Sequence, residues 1–137
     1  MIVADTGAVL ALIDADERHH SVLRALFDRD PDAWVLPWAI LAEVDYLLLG
    51  HLGAAVEAAF LADLADGRWA VAWGDERDLA RAREIHRTHR ALALGLVDGV
   101  VIATAERLGA AAIATLDLRH FGAVKIRGDP RLVPRDL

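Results

Sequence analysis

Short apolar runs that alternate with segments of helical periodicity constrain this chain more than any other feature. Residues 2–4, 34–36, 69–73 and 111–116 are short apolar stretches of strand length. The segments 8–13, 20–28, 38–49, 54–64, 75–89 and 100–108 instead repeat their apolar positions at helical spacing. Strands joined through helices must run parallel, because a parallel pair needs a crossover, and the crossover helices then cover the sheet. The expected fold is a three-layer α/β/α domain with a central, mostly parallel sheet, spanning residues 1–137 as one unit. Right-handed crossovers place the carboxyl ends of the strands along one edge, and ligands of open α/β sheets bind in the crevice there.

Local chemistry refines the elements. In 20–28, Val22, Leu23, Leu26 and Phe27 share a face, and Pro37 suits the start of a helix because its missing N–H is not needed in a first turn. The helix over 38–49 is expected to stop near Gly50, and the one over 54–64 to close at Gly67. Over 75–89 the expected buried face is Leu79, Ala82, Ile85 and His89, with an acidic amino end and a basic carboxyl end that match the helix dipole. Asp98 stands where an N-cap belongs, Gly109 ends that helix, and short edge structure is expected around 124–126. The four tryptophans, Trp34, Trp38, Trp69 and Trp73, fall at strand or helix starts and read as core or dimer packing.

Composition excludes several classes. Without cysteine the chain has no disulfide and no thiolate metal site, which fits a reducing cytoplasm. No basic leader precedes Asp5, and the longest near-apolar stretch, 91–105, is broken by Asp98, so no membrane partner is expected. The net charge of −6 argues against a general polyanion binder, but it is unevenly spread. Residues 1–67 hold 3 basic and 12 acidic side chains (−9), whereas 68–137 hold 12 basic and 9 acidic (+3). Of the 15 basic residues 14 are arginine, whose planar fork suits phosphates and carboxylates.

Four acids occupy settings that would bring them to one crevice. Asp5 and Asp117 follow strands, and Asp98 opens a helix. Glu43 lies in an apolar helix, where its spacing from Ile40, Val44 and Leu47 places it on or beside the buried face. Four carboxylates together repel one another and need positive charge between them. Mg2+, or Mn2+, answers that need with an oxygen-rich octahedral shell and sites left for phosphate, and such ions assist phosphodiester hydrolysis. An aspartyl-phosphate phosphatase would want a second aspartate at position 7, which is Gly7. A phospho-receiver would want paired early acids and a well-placed late lysine, and Lys125 is the only lysine.

These residues resemble a known family. The opening MIVADTGAVLALID, the helix LPWAILAEVDYLL, the segment LGLVDGVVIATAERLG and the stretch IATLDLRHF are similar, in this order, to the four acid-bearing motifs of PIN-domain proteins, and more narrowly of VapC-type toxin ribonucleases. The resemblance implies that Asp5, Glu43, Asp98 and Asp117 are the catalytic, metal-binding acids, with Thr6 and Thr115 as supporting hydroxyls. It further implies a Mg2+- or Mn2+-dependent endoribonuclease acting on structured RNA, a cytoplasmic homodimer, and a VapB-type antitoxin whose arginine competes for the acids. Candidate RNA contacts are Arg119 and His120 beside Asp117, and Arg87 among the arginines of the 75–89 helix. A housekeeping RNA-processing nuclease of the same family, or a non-catalytic module binding a cation or basic peptide, are the alternative functions.

Overall fold

The computed structural model describes residues 1–137. Five strands, β1 (Ile2–Ala4), β2 (Trp34–Pro37), β3 (Ala70–Ala72), β4 (Ala112–Ala114) and β5 (Arg131–Val133), form one sheet in the order β3-β2-β1-β4-β5. Every neighbouring pair is parallel, so the sheet is parallel throughout. Seven helices connect the strands: α1 (Thr6–Ile13), α2 (His20–Arg29), α3 (Leu41–Leu52), α4 (Ala54–Ala65), α5 (Glu76–Thr88), α6 (Leu96–Leu108) and α7 (Leu118–Phe121).

The strand order explains where a site can form. The chain moves outward from β1 to β2 to β3, then crosses back through α5 and α6 to lay β4 on the other side of β1. Winding direction therefore reverses between β1 and β4, and the loops leaving those two strands part to open a crevice. With right-handed crossovers, the reversal also puts the helices before β3 and those after it on opposite faces.

The core is continuous across the sheet. Val3, Ala4, Leu36, Ile113 and Ala114 from the strands meet Val9, Leu23, Ile40, Val44, Leu48, Ile85 and Ile102 from the helices, all fully or almost fully buried. Trp34 joins this core and is tilted against Phe27 at 5.6 Å between ring centroids. Trp73, by contrast, is 76% exposed and packs in no core.

Several elements differ from expectation. The helix expected to stop near Gly50 runs through it to Leu52, since one glycine in a helix costs only about 1 kcal/mol and Leu48 and Leu52 still pack inward; Gly53, at φ 92°, ends it. Trp38–Ile40 form a single 3-10 turn before α3 proper. Gly95 rather than Asp98 is the N-cap of α6, so Asp98 lies inside the first turn. No strand forms at 124–126; the edge strand is Arg131–Val133, between Pro130 and Pro134.

Helix α5 corrects the expected face by one residue. Leu79 is 48% exposed, and Asp78, 1% exposed, takes the inward position beside Ala82 and Ile85. Its carboxylate accepts two hydrogen bonds from Arg107 of α6, at 2.8 and 3.0 Å, and one from the Asp75 N–H. The two helices approach closely at Gly99, where an added Cβ would lie 2.8 Å from the Ala82 Cβ and 3.0 Å from its Cα. Gly99→Ala should therefore push α6 away from α5 and destabilise the protein by roughly 1–3 kcal/mol in chemical denaturation, as overpacked cores do. The second change Ala82→Gly should restore much of that loss.

Candidate active site

The register of β1 against β4 builds the first half of the site. Ala4 pairs with Ala114, so the next residues, Asp5 and Thr115, leave the sheet side by side. The Thr115 hydroxyl donates to Asp5 Oδ2 at 3.1 Å and accepts from the Asp117 backbone N–H at 3.0 Å. One hydroxyl thus ties the acid after β1 to the loop that carries the acid after β4. The other oxygen, Asp5 Oδ1, accepts from the Thr6 N–H at 2.8 Å, and Asp5 is thereby the N-cap of α1. Asp117 does not follow β4 directly: Thr115 and Leu116 intervene, and Asp117 caps α7 by accepting from the His120 N–H at 3.1 Å.

Helices supply the second half. Asp98 comes from the first turn of α6 and Glu43 from the first turn of α3, both ends where the helix dipole favours a negative charge. Glu43 does not lie on the buried face. Ile40, Val44 and Leu48 occupy it at four-residue steps, and Glu43, turned about 100° from Val44, is exposed at the rim. Asp45 turns away toward α4, where burial and then the neighbouring Asp45 charge push the Glu57 carboxyl above its usual range.

Asp5, Glu43, Asp98 and Asp117 line one cleft of ≈ 500 Å³, together with Thr6 and Gly7 and the apolar Leu10, Leu47 and Leu116. The charges strain one another. Burial, opposed by the Thr6 and Thr115 hydrogen bonds and reinforced by the Asp98 and Glu43 charges, raises the Asp5 pKa from 3.8 to about 6. Burial also raises that of Asp98, against the pull of His120, while Asp117 and Glu43 add to the rise. Carboxylates so crowded repel one another at neutral pH.

His120 occupies a place that the sequence did not disclose. Its Nδ1 lies 2.9 Å from Asp98 Oδ2 and 3.0 Å from Asp117 Oδ2, between two of the acids. The signal available in the sequence was only its three-residue distance from Asp117, one helical turn. Arg119 is exposed beside it. Arg87 lies outside the cleft, in a shallow depression with Glu84, Thr88 and Arg90.

A parallel sheet with a switch-point crevice lined by four acids defines a class of α/β proteins with an acidic site, and comparison with known proteins narrows it. The PIN domain family model matches residues 2–126. Ribonuclease VapC26 of Mycobacterium tuberculosis is 33% identical over 130 residues, covering 95% of this chain and 96% of that protein. The chain therefore belongs to the PIN-domain family and, within it, to the VapC group.

Solved structures agree on the fold. The Mycobacterium tuberculosis VapC20, described as a Sarcin-Ricin loop cleaving toxin, superposes with a TM-score of 0.79 at 21% identity, covering 90% of this chain and 95% of that one. DNA-bound VapBC from Salmonella typhimurium gives 0.72 at 20% identity, with coverage of 96% and 95%. FitAcB from Neisseria gonorrhoeae gives 0.66 at 20% identity, with 96% of each chain covered. No helix is long and apolar enough to cross a membrane.

Proposed function

We propose that this protein is a metal-dependent endoribonuclease, the toxin of a toxin–antitoxin pair, which hydrolyses phosphodiester bonds of structured RNA in the cytoplasm. Residues 1–137 serve as one catalytic unit in this reading. The observation that carries it is the convergence of Asp5, Glu43, Asp98 and Asp117 on one cleft at the sheet's switch point. The kinship with a protein named Ribonuclease VapC26 supports the same reaction.

The donor set fits a divalent ion. It is mostly carboxylate oxygen, it holds buried charge without a matching cation beside Asp5, and the buried Thr6 hydroxyl in the cleft wall has no hydrogen-bond partner. Asp5, Glu43, Asp98 and Asp117 would hold Mg2+ or Mn2+, which supplies charge compensation, polarisation of a phosphoryl oxygen and a lowered pKa for water. The chain's own contribution is positional. Thr115 and the Thr6 N–H hold Asp5 in one rotamer, and the cap of α7 holds Asp117. Leu10, Leu47 and Leu116 wall the acids with apolar surface. Arg119, exposed on α7 two residues from Asp117, is the arginine that would meet RNA phosphate in this reading.

The same cleft accounts for inhibition. A guanidinium pairs with carboxylates bidentately, so an arginine presented by an antitoxin would satisfy the acids and block RNA at once. The neighbours VapBC and FitAcB make an antitoxin the partner to seek, and the homodimer that the family resemblance implies is to be tested by light scattering.

Purified protein freed of any partner should cleave transfer RNA or a sarcin–ricin-type hairpin when Mg2+ or Mn2+ is present and stop on addition of EDTA. Cleavage that persists in EDTA would remove the metal from the reaction. Absence of cleavage on a broad panel of structured RNAs in both metals would remove the nuclease reading. Co-purification with the product of an adjacent small gene, and loss of cleavage in that complex, separates the toxin from a housekeeping nuclease.

A further inference from the structure

We propose that His120 is itself a ligand of the divalent ion, a nitrogen donor beside Asp98 and Asp117 that biases the site toward Mn2+ over Mg2+. The inference rests on the metal-site reading above and deepens it by one residue and one preference.

The spacing of the donors is the starting point. Nδ1 of His120 is 2.9 Å from Asp98 Oδ2 and 3.0 Å from Asp117 Oδ2, and the three side chains offer ligand atoms within 4.8 Å of one another. In an octahedral shell with bonds of about 2.1 Å, adjacent ligands stand about 3 Å apart. The imidazole nitrogen therefore already holds the separation from each carboxylate that shared coordination demands.

Its support is local and stiff. Asp117 and His120 belong to one turn of α7, and the Asp117 carboxylate accepts the His120 backbone N–H, so the acid and the ring are placed as a unit. Asp98 reaches them from the first turn of α6, whose packing against α5 through Gly99 fixes its height. His120 is mostly buried, with a side chain 20% exposed, and its Nδ1 is held between the two carboxylates. Independently, the buried hydroxyl of Thr6, a cleft-lining residue beside Asp5, has no hydrogen-bond partner in the protein.

The preference follows from donor chemistry. Mg2+ is a hard ion that takes oxygen ligands and dehydrates reluctantly, so exchanging an oxygen for an imidazole nitrogen disfavours it more than it disfavours the transition-metal ion Mn2+. A site of carboxylates alone would discriminate between the two ions less.

The test uses the full-length protein with Mn2+ and Mg2+ alone as probes. Pulsed electron paramagnetic resonance of Mn2+-loaded wild type should show coupling to a directly bound 14N that changes to the 15N pattern when histidine is 15N-labelled. His120→Gln should lose that coupling and weaken Mn2+ binding by at least about tenfold in a titration, with a smaller change for Mg2+. Absence of nitrogen coupling in the Mn2+-loaded wild type overturns the inference, and assigns the ring to hydrogen bonding between the acids. Coupling that survives in His120→Gln overturns it as well. If that variant fails to fold in a thermal melt, the labelled wild-type spectrum decides alone. RNA cleavage is read separately in Mg2+: cleavage without nitrogen coupling removes only the His120 ligand, whereas nitrogen coupling without cleavage removes only the nuclease reading.

Discussion

Asp5→Asn is expected to lower RNA cleavage by more than about 100-fold and, in metal-free buffer at pH 7, to melt at a higher temperature than the wild type. Loss of a partner one shell out from a metal already costs roughly 10–100-fold in affinity or activity, so a direct ligand sets the lower bound. The gain in stability has a separate cause. Asp5 is 7% exposed and its pKa is raised to about 6, first by burial. The folded protein therefore binds this proton more tightly than the unfolded chain does. That favours folding below pH 3.8, and the advantage is lost as the pH climbs from 3.8 through about 6. The loss amounts to on the order of 3 kcal/mol. An asparagine carries no charge at any pH and keeps an oxygen for the Thr6 N–H, so it escapes most of this penalty. The expected rise in melting temperature is roughly 5–10 °C at pH 7, shrinking toward zero near pH 4. Mg2+ should reverse the ranking by stabilising wild type at pH 7 and leaving Asp5→Asn nearly unchanged. Calorimetry at pH 4, 5.5 and 7, with and without Mg2+, measures all of this; a variant less stable than wild type at pH 7 without metal would contradict the electrostatic account.

Arg107→Ala should be the most damaging single change outside the cleft, lowering stability by about 3–5 kcal/mol, because it leaves a buried carboxylate without its partner. Asp78 is 1% exposed, and both its oxygens accept from Arg107. The second oxygen also receives the Asp75 N–H, completing the reciprocal cap at the start of α5. The Arg107 guanidinium is correspondingly raised in pKa by the Asp78 hydrogen bonds. The double variant Asp78→Ala with Arg107→Ala should cost less than Arg107→Ala alone, since no charge remains buried, although the cap at Asp75 is lost. Urea denaturation of the four proteins closes this cycle. Equal effects of the single and double variants would mean that water reaches Asp78. Since α6 also carries Asp98, Arg107→Ala should weaken cleavage only to the extent that the native population falls.

The fold was legible wherever an element carried its own pattern. Helices α2, α4 and α5 and strands β1 and β2 stand within a few residues of expectation, because periodicity, caps and turn residues are local. Strand β5 was not legible: three residues between two prolines are too few to show alternation, and they become a strand only by pairing with β4. The face of α5 was misjudged by one residue for a related reason. Leu79 is the better apolar candidate until Arg107, 29 residues from Asp78, provides that acid with a buried partner.

What the sequence by itself determined is the set of acids, their order and their approximate settings: Asp5 after a strand, Asp98 near the start of a helix, Asp117 soon after a strand, Glu43 in an apolar helix. Those are consequences of short-range chemistry, which a linear pattern can carry. Tertiary structure alone decided that Thr115 would bind Asp5 across 110 residues, that Glu43 would stand exposed at the rim, and that His120 would enter the cluster between Asp98 and Asp117. Each depends on the reversal of winding between β1 and β4, which sets distances across the crevice, and distances between remote segments are fixed only when the sheet has formed.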